Sequence, residues 1–220
     1  MTGWSSRSRG HSSSGLRGQS IRCESTACRV GLCGRISLRV LSPDYEIRPA
    51  RQGEIATIRA IEIAAAELIP LKDLPVELRE DALPVEVVER AVAEGRLFAA
   101  VCLPQDSLVG FALATLIDGS AHLHELDVLP SHGRRGLGSA LVAAVAEWAK
   151  QGGFSSLTLT TFRHLPFAAA FYRGLGFYGL PDDGLPEQLA GLLVAEEESG
   201  LDRSARLAMR LDLTPPNHGA

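Results

Sequence analysis

The sequence predicts a mixed α/β domain: a central sheet with helices packed on both faces. Two apolar runs, LFAAVCL and LVGFALATLI, flank the turn signal PQDS and read as a β-hairpin. Further on, AHLHELDVLP and SSLTLTT read as strands with a helical stretch between them. A hairpin brings antiparallel neighbours and a strand-helix-strand unit a parallel one, so the sheet is mixed.

Taken in order, YEIRPA alternates like a short first strand, and RQGEIATIRAIEIAAAELI carries Ile55, Ile58, Ile61 (or Ile63) and Leu68 at helical spacing. Pro70, Pro75 and Pro84 break up the next stretch, in which VEVVERAVAEG is the clearest helix, ended by Gly95. The hairpin follows. In AHLHELDVLP, strict alternation puts His122, His124, Leu126 and Val128 on one face and Leu123, Glu125, Asp127 and Leu129 on the other. After Pro130, Leu137, Ala140, Leu141, Ala144 and Trp148 recur at three and four residues, giving a helix ended by Gly152 and Gly153. SSLTLTT is a strand of β-branched and apolar residues. LPFAAAFYRGLGF reads as a short helix starting at Pro166, LPEQLAGLLVAEEESG as another helix, and ARLAMRLDL as a last strand.

The chain has 220 residues, 45% of them hydrophobic and 22% charged, enough for one well-buried core plus appendages. Residues 1–42, rich in Ser, Arg and Gly and without an apolar period, are expected to be a disordered tail, with residues 43–214 as the domain and 215–220 as a C-terminal tail. The tail's arginine-rich, acid-poor composition also has the look of an organelle transit peptide, although an amphipathic stripe is missing. Residues 1–40 hold seven arginines against Glu24, which leaves the remainder with 15 basic and 25 acidic side chains. A body that acidic argues against nucleic acid as a partner and favours cationic ones, amines included. No run reaches the roughly 20 apolar residues of a membrane span. Cys23, Cys28 and Cys33 lack zinc-ligand spacing and Cys102 stands alone in the body. No metal is therefore expected, and the compartment is expected to be the reducing cytoplasm.

In SHGRRGLGSAL, glycines at a strand-to-helix turn let backbone amides approach an oxygen, and the first N–H groups of a helix have no internal partner. A dinucleotide fingerprint fails because Leu141 follows where GxGxxG needs its third glycine. A P-loop starting at Gly133 lacks its lysine before Ser139. Simple helix capping is the alternative.

Together, ELDVLPSHGRRGLGSAL and, some thirty residues on, AFYRGLGF resemble the GNAT superfamily of acyl-CoA-dependent N-acyltransferases. The resemblance runs from about Tyr45 to Leu213 and is specific from Glu125 to Phe177. It implies the GNAT fold, a mostly antiparallel sheet of six to seven strands. It implies acetyl-CoA as co-substrate, with a small-molecule amine, a protein N-terminus or a lysine as acceptor; a homodimer is open. The pyrophosphate loop falls on Gly133, Arg134, Arg135, Gly136, Leu137 and Gly138, with Ser139 next. The amides of Arg134 to Ser139 would hold the pyrophosphate, with the two arginine side chains adding charge. Near Leu126 to Val128 the strand would splay from its neighbour, and the amide of Val128 would face the thioester oxygen. Tyr172 is the candidate general acid and Glu125 the candidate acceptor of the amine's proton, with His122 and His124 as alternatives. Arg163 and His164 lie where cofactor and acceptor channels would meet. Departures from the family pattern are Gly133 in place of Gln or Arg, Leu165-Pro166 where an asparagine often stands, and the helical segment before the last strand. The function implied is acetyl transfer to a primary amine in a ternary complex; an acyl-CoA-binding sensor without turnover is the alternative.

Overall fold

A computed structural model describes residues 41–213. The expected tails lie almost wholly outside these residues, and Cys23, Cys28 and Cys33 entirely so. A seven-stranded sheet in the order β1-β2-β3-β4-β5-β7-β6 organises the chain. Its strands are β1 (Tyr45–Pro49), β2 (Leu97–Cys102), β3 (Ser107–Ile117), β4 (Ser120–Val128), β5 (Ser156–Phe162), β6 (Tyr178–Gly179) and β7 (Arg206–Asp212). The helices are α1 (Ile55–Ala66), α2 (Val76–Arg79), α3 (Val85–Ala93), α4 (Leu137–Gln151), α5 (Ala169–Gly174) and α6 (Glu187–Glu198). All pairings are antiparallel except β4 with β5. The mixed sheet with helices on both faces is the architecture expected. The two-residue β6 and one-turn α2 had no periodicity to reveal them.

One face of the sheet carries α4 and α5. Leu137, Leu141, Val142, Val145, Ala146 and Ala149 of α4 pack there with Ala112, Leu123, Leu159 and Met209 from the strands. The apolar stripe is therefore rotated from the expected one: Val142, Val145 and Ala146 are buried, while Ala140, Ala144 and Trp148 lie at its margins. The opposite face is covered at one side by α1 and α3, through Ile58, Ile61 and Val88 against Leu97, Phe111 and Leu113. Of the expected α1 stripe, Ile63 and Leu68 are exposed instead. At the other side of that face, Leu189 and Leu193 of α6 close over Ala208. Each fully buried aliphatic side chain contributes about 1.5–3 kcal/mol.

Two irregularities mark β4. Among the described residues the β4–β5 pairs are Ala121 with Leu157 and His122 with Thr158; beyond them β4 continues to Val128 and β5 to Phe162 without further pairing to each other. The second is a bulge. Leu113 pairs with Glu125 but Ala114 with Leu123, which leaves His124 as an extra residue. Strict alternation fails here, and the expected grouping of Leu123 with Glu125 is corrected. Leu123, Leu126 and Val128 all turn to the α4 face, where they pack with its core. Glu125 and Asp127 turn to the face carrying α1 and α6. The helix of LPFAAAFYRGLGF also differs from expectation, beginning at Ala169 after a turn closed by Ala168 N–H donating to Leu165 C=O at 3.1 Å.

Candidate active site

β4 is the spine of the site. Leu129 N–H donates to Val109 C=O at 2.9 Å, a bond directed toward β3. Successive strand residues point their N–H groups to opposite edges, so the amide of Val128 faces the edge that β5 has left. Leu126, two residues earlier, has the same edge. The separation of the strands thus exposes main-chain polar groups that a continuous sheet would have consumed.

At the end of β4 the chain turns into α4 through the glycine loop. Gly133 is extended, Arg134 takes a left-handed φ of 60°, and Gly136, the residue before the helix, takes φ 86°. Left-handed residues interleaved in this way draw successive N–H groups into one concavity. No side chain caps α4, so the amides of Leu137, Gly138 and Ser139 keep the free donors of a helix N-terminus and the positive end of its dipole. Arg134 is exposed. Arg135 turns away, donating to the Tyr45 hydroxyl at 2.9 Å and to Ser131 C=O at 3.4 Å. Tyr45 in turn is hydrogen-bonded to His132 at 3.0 Å. The missing side chain of Gly133 leaves the amide concavity intact because it is built from backbone.

Tyr172 on α5 stands between Phe171 and Phe177, with ring centroids 5.0 and 5.6 Å away. Burial, reinforced by the charges of Glu125 and Asp127, raises its hydroxyl well above the ordinary phenol range. That coupling places Tyr172 and Glu125 in one electrostatic environment, although they come from opposite ends of the motif. Burial, and then the neighbouring Glu62, pushes Glu125 up to about 7. Asp127 is also raised well above the usual carboxylate range, by burial and then by Glu125 and Glu62. Its Oδ2 is sealed from solvent and accepts no hydrogen bond. Glu62 on α1 accepts Leu83 N–H at 3.1 and 3.0 Å, and burial raises it too.

The other candidates are tied elsewhere. His122 is buried against the Thr158 hydroxyl at 2.9 Å, and desolvation lowers it to about 3. Burial also lowers His124. Both are neutral near pH 7. Arg163 donates to Arg206 C=O at 2.9 Å and Ser204 C=O at 3.3 Å, a strand-to-strand tie. His164 pairs with Asp73 at 3.1 Å, linking the end of β5 to the loop after α1. Asp127 and Glu62 were not singled out from the sequence. Asp127's place two residues after Glu125 was a signal for the first, whereas Glu62 reaches the site only through the packing of α1. Cys102 is a buried thiol at the end of β2. Among the described residues, no group of three or more His, Cys, Asp or Glu could hold a metal ion, and no helix is long and apolar enough to cross a membrane.

Solved structures share this architecture. The PaiA N-acetyltransferase of Thermoplasma acidophilum, in complex with coenzyme A, superposes with a TM-score of 0.57 at 17% identity, covering 76% of this chain and 98% of that one. The N-acetylglutamate synthase of Neisseria gonorrhoeae, complexed with coenzyme A and N-acetyl-glutamate, gives 0.57 at 19%, over 77% of this chain but only 35% of that one. The ribosomal-protein-S18-alanine N-acetyltransferase of Escherichia coli gives 0.54 at 17%, over 80% and 98%. At these identities the likeness is one of fold. The sequence itself matches the acetyltransferase (GNAT) family over residues 63–177, a span that includes the bulged strand, the glycine loop and Tyr172. With that match covering more than half its length, the chain belongs to the GNAT family of acetyltransferases.

Proposed function

We propose that this protein transfers an acetyl group from acetyl-CoA directly to a primary amine while both are bound. The observation that supports the reading is the parting of β4 from β5 beyond the His122–Thr158 pair, on the strand that leads to an α4 N-terminus no side chain caps. The amides from Arg134 to Ser139 hold the pyrophosphate, with Gly133 as the loop's entry and Leu126 and Val128 lining the path of the thioester arm. Val128 N–H donates to the thioester carbonyl oxygen, where negative charge grows in the transition state. Glu125 takes the proton of the attacking amine, directly or through water. Tyr172, held in its neutral form by its surroundings, donates its proton to the sulfur as the C–S bond breaks and the C–N bond forms. No covalent enzyme intermediate is needed.

The reading is tested by following thiol release from acetyl-CoA over a panel of amines and peptides, alongside calorimetric titration of acetyl-CoA. Amine-dependent thiol release is the expected outcome. Tight acetyl-CoA binding with no release from any acceptor would instead identify a sensor, and no acetyl-CoA binding would overturn the reading altogether.

A further inference from the structure

From the convergence of two loop side chains on one hydroxyl of β1, we infer that Tyr45 is a positioning residue for the glycine loop. Its hydroxyl fixes the amides that receive the pyrophosphate of acetyl-CoA, a role that rests on the pyrophosphate reading of the loop above.

Tyr45 opens β1, and its ring is buried in the core shared with α4. The hydroxyl is thus carried on a rigid element. It accepts a hydrogen bond from Arg135 Nη1 at 2.9 Å and meets His132 Nδ1 at 3.0 Å. Arginine has donors only, so the phenol oxygen is the acceptor toward Arg135 and its one proton is left for His132 Nδ1. Ring contacts follow the same pair. The imidazole stands edge-on to the phenol with centroids 5.8 Å apart, and the guanidinium carbon lies 5.9 Å from the phenol centroid.

The bridge from His132 to Arg135 spans Gly133 and Arg134. Arg134 holds a φ of 60°, a left-handed conformation that a residue with a Cβ keeps only where its surroundings impose it. Amides from Arg134 to Ser139 that are to receive a ligand cannot also be spent on the protein, and no side chain caps α4. The loop's shape must therefore be imposed through side chains, and the Tyr45 hydroxyl does so from β1 at two points three residues apart. A site shaped in advance binds its anion without meeting the ordering cost on binding. The bridge also accounts for Arg135, whose charge the sequence assigned to the pyrophosphate: its guanidinium ties the loop to β1 and to Ser131 C=O instead.

Tyr45→Phe keeps the ring and removes the bridge, and Arg135→Met removes the loop's end of it at an exposed position. Acetyl-CoA and S-acetylpantetheine, which lacks the pyrophosphate, are compared as acyl donors for the full chain. Tyr45→Phe is expected to lower kcat/KM for acetyl-CoA about fivefold or more, the worth of one or two hydrogen bonds. The loss should lie in KM, with kcat/KM for S-acetylpantetheine within about twofold of the parent. Arg135→Met should lower acetyl-CoA use by a similar factor, and it carries the test if Tyr45→Phe does not fold. The double variant should be no worse than the poorer single one by more than about twofold, because both cut one bridge. Equal losses with the two donors in Tyr45→Phe, an acetyl-CoA KM within about twofold of the parent in the single variants, or additive losses in the double overturns the inference and leaves acetyl transfer standing. If no amine is acetylated, calorimetric titration of acetyl-CoA over the same variants decides. A matching, non-additive loss of affinity then sustains the role of Tyr45 while the transfer reading fails, and unaltered affinity overturns it. An unmodified chain that binds no acetyl-CoA overturns both.

Discussion

Gly138 lies against Phe171: a Cβ placed at Gly138 would come within 3.3 Å of the ring's Cζ. The first turn of α4 and the helix bearing Tyr172 therefore touch at the place where the loop presents its amides. Gly138→Glu brings both bulk and negative charge to the loop proposed to hold the pyrophosphate, and Gly136→Pro demands a negative φ where the chain has 86°. Either substitution is expected to weaken acetyl-CoA binding by about tenfold or more, the equivalent of at least about 1.4 kcal/mol. Isothermal titration calorimetry reads this directly, and unaltered affinity in both variants would remove the loop from the site.

Tyr172→Phe separates proton donation from packing. The ring contacts with Phe171 and Phe177 persist without the hydroxyl. Turnover should fall by about a hundredfold, the lower range for a positioned acid, while acetyl-CoA affinity and melting temperature stay close to the parent. A parent-like kcat would assign the tyrosine to packing alone.

The glycine loop and the tyrosine stood out as candidates because both are local: a strand-helix turn and a short aromatic segment are each contiguous in the sequence. The bulge at His124 was not. No glycine marks it, and only the register against β3 shows that Leu126 and Val128 join Leu123 on the α4 face. Because the bulge precedes Glu125, it decides which face the carboxylates take. Glu62 was hidden for a different reason. In α1 it reads as an ordinary charged helix position, and it acquires its meaning from the fold that sets α1 across β3 and β4.

Glu125 gives the site a defined pH dependence. In its proposed role as a base it works ionised, so kcat/KM should rise with pH to a plateau with an apparent midpoint near 7. Since Tyr172 is shifted upward, its deprotonation should not cut the plateau short where an ordinary phenol would. Stability runs the other way. The folded state binds the Glu125 proton more tightly than the unfolded chain does, so its favourable contribution is complete below the ordinary glutamate value and is lost as pH rises through about 7. Glu125→Gln should therefore flatten the rising limb of the rate profile. It should also raise the melting temperature relative to the parent more at pH 8 than at pH 4, and an equal shift at both would refute the assignment.

Gly110 packs closely against β4 at the residues proposed to face the thioester. A Cβ there would lie 2.8 Å from Asp127 O and 3.1 Å from Val128 Cγ2. The first of these is backbone, which cannot rotate away. Gly110→Ala must therefore push β4 at Asp127 and Val128. Overpacking of this kind costs about 1–3 kcal/mol, and a chain of this size loses about 2–4 °C of melting temperature per kcal/mol. If the Val128 amide bonds the developing oxyanion as proposed, its displacement misaligns that bond, so kcat should fall about tenfold or more, while acetyl-CoA affinity, which the proposal assigns to the loop, changes little. Gly53→Ala, where a Cβ meets nothing within 4 Å, is the matched control. Loss of stability in Gly110→Ala with kcat intact would show that β4 tolerates the shift and that the Val128 amide is not the group aligned with the thioester.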